Sequence, residues 1–262
     1  MTPGFLYFAP TASLTMEQEF SKTTKDRERH QEDNQLFGTP EAQQQLQQGL
    51  EDMYFLLSRE YPFKASLALV GNRYQLVKRQ QTALQGMACS AVQLEARKRK
   101  ELSAAALKDK EVLLDAFNVL ILLETALSGN YVFRGLDGCF RDISSVHGSY
   151  RKVDQTEAAL LLAGNALREL GAAKVTWVFD APVSNSGRMK GVCYEIAAQH
   201  GFTWDAILEG SPDKFLIDSQ ALVCSSDAWV LDECAAWFNL GAYVIEQLSH
   251  DQVNMVQAKA VI

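Results

Sequence analysis

Four aspartates carry the first hint of chemistry. Asp115, Asp180 and Asp227 each close a short apolar run, "EVLLD" (111–115), "KVTWVFD" (174–180) and "ALVCSSD" (221–227). Asp213 follows Ser211-Pro212 at what reads as a helix start. Burying an unpaired carboxylate is costly, so an acid at the end of such a run is either a satisfied cap or a group aimed at chemistry. Any one strand-end aspartate has a plainer role open to it as a turn residue, and Asp213 as an acid at a positive helix end. Several together are harder to dismiss. If the runs are parallel strands, their carboxyl ends share the edge where ligands bind, and distant acids meet there. A group of carboxylates repels itself and calls for a cation. Hard oxygen donors with room for water suit Mg²⁺ or Mn²⁺. The chemistry that uses such a group is phosphoryl transfer to water, the ion polarising a phosphate and helping to ionise the nucleophile. Asp115, Asp180, Asp213 and Asp227 are therefore the expected catalytic and metal-binding residues.

The elements that would position them follow from pattern. The candidate strands are "EVLLD", "KVTWVFD", "WDAIL" (204–208), "ALVCSSD" and "AYVIE" (242–246). Helical stretches lie between them: "DQTEAALLLAGNALRELG", "GRMKGVCYEIAAQHG", "SPDKFLIDSQ" and "AWVLDECAAWFNLG". Gly171, Gly201 and Gly241 stand where C-terminal cap glycines belong. The alternation predicts an α/β domain with a parallel sheet between helices, over residues 110–262. Residues 39–109 predict a small all-α, locally basic domain. Its first helix starts at Thr39-Pro40, with Thr39 as N-cap. Two short helices are expected around Gly71-Asn72, and a further one over roughly 89–107. Residues 1–38, with "SKTTKDRERHQEDNQ", hold too few apolar groups to bury a face and are expected to order weakly.

The bulk numbers narrow the classes. The chain has 262 residues, enough for one large domain or two small ones, and a net charge of −7. Residues 62–110 hold ten Lys/Arg and three Asp/Glu, whereas residues 111–262 hold ten and nineteen. A basic segment before an acidic domain suggests a polyanion grip beside a cation site, although a solvated helix face explains the basic run as well. The five cysteines form no C-x-x-C pair, which fits reduced thiols in a cytoplasmic protein. No signal peptide is legible, and the longest apolar stretch, 112–127, is broken by Asp115, Asn118 and Glu124, so no membrane span is expected. Neither G-x-x-x-x-G-K-[ST] nor G-x-G-x-x-G nor G-x-S-x-G occurs in a fitting context, which removes support for ATP, NAD and serine-hydrolase chemistry. The first strand also lacks the second acid two residues on that an aspartate phosphatase would use.

Taken together, "VLLDAFNVL", "WVFDAP", "SPDKFLID" and "ALVCSSDAWVLDECA" resemble the PIN-like nuclease superfamily, in particular its NYN branch. That branch has a D-x-x-N first strand, a strand ending F-D-A/G, an acid opening a helix and a [TS]-S-D strand end. The segment "LLSREYPFKASLALVGNRYQLVKRQ" resembles an uncharacterised prokaryotic family in which a small helical domain precedes a PIN-like domain. The resemblance implies a three-layer PIN-like fold, a metal-dependent ribonuclease, the four aspartates as its acids and Asn118 as the first motif's amide. Asn118 would fix the loop or hold a water. Asp232, one helical turn past Asp227, reads better as an exposed helix residue than as a fifth acid.

Secondary features concern substrate. Ser184, Asn185, Ser186, Gly187, Arg188 and Lys190, just after the Asp180 strand, could bind a phosphate at a helix start; simple capping is the alternative. The long connection after the first strand offers Arg134, Arg141, His147, Tyr150 and Arg151 to a phosphate backbone or a base, and could be a lid or a plug. "GNRYQLVKRQ" could present Arg73, Lys78 and Arg79 to nucleic acid, or be a turn between packed helices. Trp177, Phe179, Trp204 and Trp237 read as core. The expected function is phosphodiester hydrolysis, with RNA favoured as partner. The alternative is a non-catalytic nucleic-acid-binding or regulatory module on the same scaffold. A homo-oligomer is left open.

Overall fold

The computed structural model describes residues 32–144, 150, 152–249 and 253–259. Along the chain come α1 (Asp33–Phe37), α2 (Pro40–Leu57), α3 (Phe63–Arg73), α4 (Lys78–Met87) and α5 (Ala91–Lys100). A 3-10 turn at Ala104–Leu107 leads into β1 (Glu111–Asp115) and α6 (Ala116–Leu127). Next are β2 (Tyr131–Arg134), β3 (Phe140–Arg141), α7 (Gln155–Glu169), β4 (Lys174–Asp180), α8 (Ser186–His200) and β5 (Trp204–Glu209). The last elements are α9 (Pro212–Asp218), β6 (Leu222–Cys224), α10 (Ala228–Glu233), β7 (Ala236–Trp237), α11 (Leu240–Ile245) and β8 (Asn254–Gln257).

β1, β4, β5, β6 and β7 form one all-parallel sheet in the order β5-β4-β1-β6-β7. Strand periodicity sorts its side chains into two layers. Val112, Leu114, Val175, Trp177, Phe179, Ala206, Leu222 and Cys224 pack with α6, α7, α8 and α11. Their sequence neighbours Leu113, Val178, Ile207 and Val223 face Leu216 of α9 and Val230 and Leu231 of α10. The α/β class, the parallel sheet and the helical N-terminal region stand as the sequence predicts. Along the closely packed first layer, Gly164 of α7 lies so near Phe202 and Trp204 that an added Cβ would come within 2.5 Å of the Trp204 ring.

Local details differ from expectation in several places. Thr39 caps α2, accepting from the Ala42 N–H at 3.2 Å, with Pro40 at the first helical position. The turn after α3 falls at 74–77, because Gly71-Asn72 continues the helix. α5 ends at Lys100 rather than near 107. "AYVIE" is not the last strand. Asn239 accepts from the Ala242 N–H at 3.2 Å and starts α11, so the fifth strand is the shorter Ala236–Trp237. Gly241 lies inside that helix, whereas Gly171 (φ 75°) and Gly201 (φ 67°) terminate theirs. The expectation of weak order over 1–38 fails at its end. Phe37 is fully buried in the helical core, and Asp33 accepts two hydrogen bonds from Arg79 at 2.6 and 2.7 Å. The remainder of that segment, to residue 31, lies outside the described residues.

The two halves are not separate units. β2 pairs antiparallel with β3 and parallel with β8 in a second sheet. Tyr131, Phe133 and Val256 from that sheet join Leu46, Leu50, Met53 and Leu84 in the core of the helical region. The long connection after β1 thus supplies a second sheet through its β2–β3 portion. Arg97 locks the halves together. Fully buried on α5, it donates to Asp137 at 2.5 Å and to Asp232 on α10 at 2.6 Å. Asp137 also accepts both terminal guanidinium nitrogens of Arg141, at 2.9 and 2.7 Å. Burial alone would push the Asp137 carboxyl up, but the two guanidinium groups outweigh it and hold the group below its usual range. Deleting one member of such a buried set leaves an uncompensated charge. Replacing Arg97 with Met should cost about 3–5 kcal/mol in a urea titration. Arg99→Met, at an exposed site two residues on, should change stability by no more than about 0.5 kcal/mol.

Candidate functional site

In this sheet the chain adds β4 and β5 on one side of β1, then returns to add β6 and β7 on the other. The order therefore reverses between β1 and β6. The crevice above such a switch point, at the carboxyl ends of the strands, is where parallel sheets bind ligands. Asp115 ends β1 and Asp227 lies three residues past the end of β6, so both flank that crevice. Side-chain parity adds the other acids. Asp115 lies two residues after Leu113, and Asp180 two after Val178, so both stand on the α9–α10 side of the sheet. Asp213 opens α9, and Asp227 is the N-cap of α10. All four expected acids therefore gather on one edge and one face.

Their fields overlap. Asp115 is 8% exposed, and its carboxyl is pushed up to about 7. Burial is the main cause, opposed by the Ser225 hydroxyl and reinforced by the charges of Asp213 and Asp227. Asp213 is raised by burial and then by Asp227 and Asp180. Asp180 is raised by burial. Among the described residues, no protein donor bonds to the carboxylates of Asp180 and Asp213. Asp227 uses Oδ1 to cap α10, accepting from the Trp229 and Val230 N–H groups at 2.9 and 3.1 Å. The plain capping role is therefore real at Asp227, and it leaves Oδ2 without a donor among the described residues.

Two serines brace the crevice. Ser225 Oγ donates to Asp115 Oδ2 at 2.7 Å and accepts from the Asp227 N–H at 3.0 Å, so one hydroxyl ties the ends of β1 and β6. Asn118 Oδ1 accepts the Ser226 N–H at 2.8 Å and its hydroxyl at 2.9 Å. Asn118 is thus a loop-fixing residue. Arg141 joins the brace from behind, its Nε donating to the Ser226 carbonyl at 2.7 Å. The donor set is all oxygen, with no thiol or imidazole in it, which fits a hard divalent cation. Among the described residues, however, no three His, Cys, Asp or Glu side chains form a group ready to enclose a metal. The four acids share a field without making a closed cage. Mg²⁺ tolerates this, since it binds through one or two carboxylates and keeps water and phosphate for the rest.

The expected substrate residues divide. Arg141 is consumed by Asp137 and Ser226, because a buried guanidinium must be paired, and so does not face a phosphate. Arg134 pairs with Glu246 at 2.8 Å. Tyr150 is buried, with its hydroxyl on Glu124 and Thr156, which rules it out as a stacking ring. Asp232 is neither a fifth acid nor exposed, being bound by Arg97 and Gln93. Arg79 is held by Asp33, leaving Lys78 and Arg73 outward on that turn, with Arg73 3.4 Å from Asp52. Ser186 Oγ is buried against the Asp180 and Val183 carbonyls, and Asn185 Nδ2 donates to the Tyr150 carbonyl at 2.8 Å. Both tie the turn after β4. Ser184 and Arg188 are exposed, and Lys190 lies over the Tyr194 ring at 5.9 Å. Asn185 and Arg188 line a cleft of ≈ 580 Å³ with Lys152, Asp154 and Glu157, at the starts of α7 and α8. Those helices belong to the layer opposite α9 and α10, so this cleft lies across the sheet edge from the acids. Arg151 and His147 lie outside the described residues. Sequence reading missed the roles of Ser225 and Ser226, although they stand in the quoted "CSSD".

The family described as Domain of unknown function (DUF5616) matches residues 104–243, from the 3-10 turn before β1 into α11. The chain belongs to that family. A second family, Protein of unknown function (DUF434), matches residues 45–100, most of α2 through α5. An uncharacterized protein of Methanocaldococcus jannaschii is 30% identical over 142 residues, covering 54% of this chain and 68% of the relative. No solved structure matches. Among the described residues, no helix is long and apolar enough to cross a membrane, and all five cysteines are buried and free.

The raised Asp115 carboxyl makes stability depend on pH with a definite sign. Below about pH 4 the group is protonated in both the folded and unfolded states. From there to about 7 the folded state keeps the proton that the unfolded state releases, so stability falls as pH rises. Above about 7 the loss is constant. Asp115→Asn keeps an oxygen for Ser225 and removes the charge. It should match the wild type in urea near pH 4 and exceed it at pH 8 by a few kcal/mol, about 1.4 kcal/mol for each unit of the removed shift. Equal or lower stability at pH 8 would show that Asp115 carries no such penalty.

Proposed function

We propose that this chain is a metal-dependent phosphodiesterase of PIN-like type, acting on nucleic acid, with RNA the favoured substrate. The observation that carries the reading is the gathering of four carboxylates that repel their neighbours, two of them without a protein donor among the described residues, at the switch point of a parallel sheet. Evolution has little structural reason to accept that repulsion, since a neutral side chain at Asp115 would relieve it. A divalent ion there would supply charge neutralisation, a polarised phosphate and a more acidic water.

The chain's own residues would do the rest. Ser225 fixes the Asp115 carboxylate and leaves Oδ1 clear of its own bond. Asp227 presents Oδ2 while Oδ1 is held by the α10 backbone, so its orientation is set before any ligand arrives. Asp213 and Asp180, both raised chiefly by burial, complete the negative edge and would offer a water a choice of proton acceptors. The resemblance of "VLLDAFNVL", "WVFDAP", "SPDKFLID" and "ALVCSSDA" to PIN-like nucleases supports the same assignment and supplies the preference for RNA. A second reading, a nucleic-acid-binding module without hydrolysis, is favoured by the lack of a three-residue metal cage among the described residues.

Cleavage of labelled single-stranded RNA in Mn²⁺ separates the two. Asp115→Asn and Asp227→Asn should each lower the rate by at least about 100-fold, the upper loss seen for residues merely supporting a metal ligand. Asp227→Asn is the cleaner test, because asparagine caps a helix as well as aspartate does and the fold should be untouched. Ser225→Ala, which frees Asp115 without removing it, should cost about 10–100-fold in Mn²⁺ affinity. Salt-sensitive RNA binding with no cleavage would establish the second reading.

A further inference from the structure

Two large apolar side chains near the carboxylate edge are exposed, Leu208 at the end of β5 and the larger Trp229. Trp229 is 54% exposed, in the first turn of α10, two residues past Asp227. Trp177 and Trp237 are fully buried, and Trp204 packs against Trp177 and Phe202. The core therefore has no use for the Trp229 ring. The Trp229 N–H donates to Asp227 Oδ1 at 2.9 Å, so its backbone sits directly against a site carboxylate. The residues that precede it are Ser225, Ser226, Asp227 and Ala228, the end of the segment that carries a site carboxylate. An anionic lipid surface would be repelled by the acids beside it. One flat aromatic face beside a phosphate-directed site suits a flat, uncharged π-system instead.

We propose that Trp229 is the stacking platform for an unpaired nucleobase next to the phosphate held at the carboxylate edge, so that the substrate is single-stranded there. This rests on the phosphodiester reading of that edge and adds the substrate's form to it. Arg188 and Lys152 do not compete for the role. Their cleft is shared with Asp154 and Glu157 and belongs to the opposite layer. Stacking accepts any base, so the site should distinguish unpaired from paired nucleic acid more than one sequence from another.

The experiment measures binding of a short fluorescein-labelled single-stranded RNA, and of the same RNA in a duplex, by anisotropy. Ca²⁺ replaces Mn²⁺, so that the carboxylates are neutralised and turnover is slowed; cleavage in Mn²⁺ is followed in parallel. Trp229→Ala should weaken single-strand binding about tenfold, a typical loss for one stacked base, and leave duplex binding unchanged. Trp229→Phe should keep most of the affinity. Thermal melting of both variants should match the wild type, since the side chain contributes little to the core. Undiminished single-strand binding by Trp229→Ala overturns the proposal, as does an equal loss for single strand and duplex. Cleavage that ignores Trp229 refutes the stacking alone. Trp229-dependent binding with no cleavage refutes the hydrolysis alone. A wild type that neither binds nor cleaves RNA removes both.

Discussion

A parallel sheet has a single carboxyl edge, and every strand of this one delivers its end there. The constraint that organises the molecule is the double pairing of β1, with β4 on one side and β6 on the other. It sets Leu114 beside both Trp177 and Cys224, and so fixes where Asp115 stands relative to the strand ends of its neighbours. Because side chains alternate strictly, a one-residue slip would turn Asp115 and Asp180 into the α6–α8 layer. The apolar packing of Val112, Leu114, Val175 and Trp177 prevents that slip. Hydrophobic burial remote from the edge thereby dictates where four charges meet.

Charge is handled in two ways within a short span of chain. Behind the crevice, Asp137 is satisfied by Arg97 and Arg141 and is held in its ionised form. At the crevice, Asp115 has a serine hydroxyl for company and two acids nearby, and ionises with reluctance. The first arrangement is structural, with positive and negative partners in balance. The second is left out of balance, and an ion or a substrate phosphate with its counterion can correct it. Arg141 connects the two by holding the Ser226 carbonyl, which places the loop carrying Asp227.

Much of this was legible in the sequence, for reasons that particular residues make plain. "EVLLD" and "KVTWVFD" were readable as strands because their apolar runs are short, β-branched or aromatic, and bounded by turn residues. The acids could be grouped because a parallel sheet leaves their strand ends only one place to go. "AYVIE" misled because a short apolar run does not tell a buried helix from a buried strand, and the deciding feature was the Asn239 side chain capping Ala242. The fate of Arg141, Arg97 and Asp232 was not readable, since their side-chain pairings span up to 139 residues of sequence and no local pattern encodes them. Trp229 was overlooked for a related reason. Exposure of a tryptophan is a property of the surrounding surface, and "DAWVLDE" reads equally well with the ring inside.

The second sheet bears on how the chain can be divided. β8 lies beyond the segment that the larger family match covers, yet it pairs with β2 from Tyr131↔Asn254 to Arg134↔Gln257. Phe133 of β2 meets Phe37 edge-on at 4.8 Å, before the other match begins. A fragment trimmed to residues 104–243 would strip β2 of a neighbour and leave Tyr131 and Phe133 facing water along an open hydrogen-bonding edge, the kind of edge through which copies of a protein aggregate. The working boundary of this protein is therefore set by a strand and a phenylalanine that lie outside its recognisable motifs.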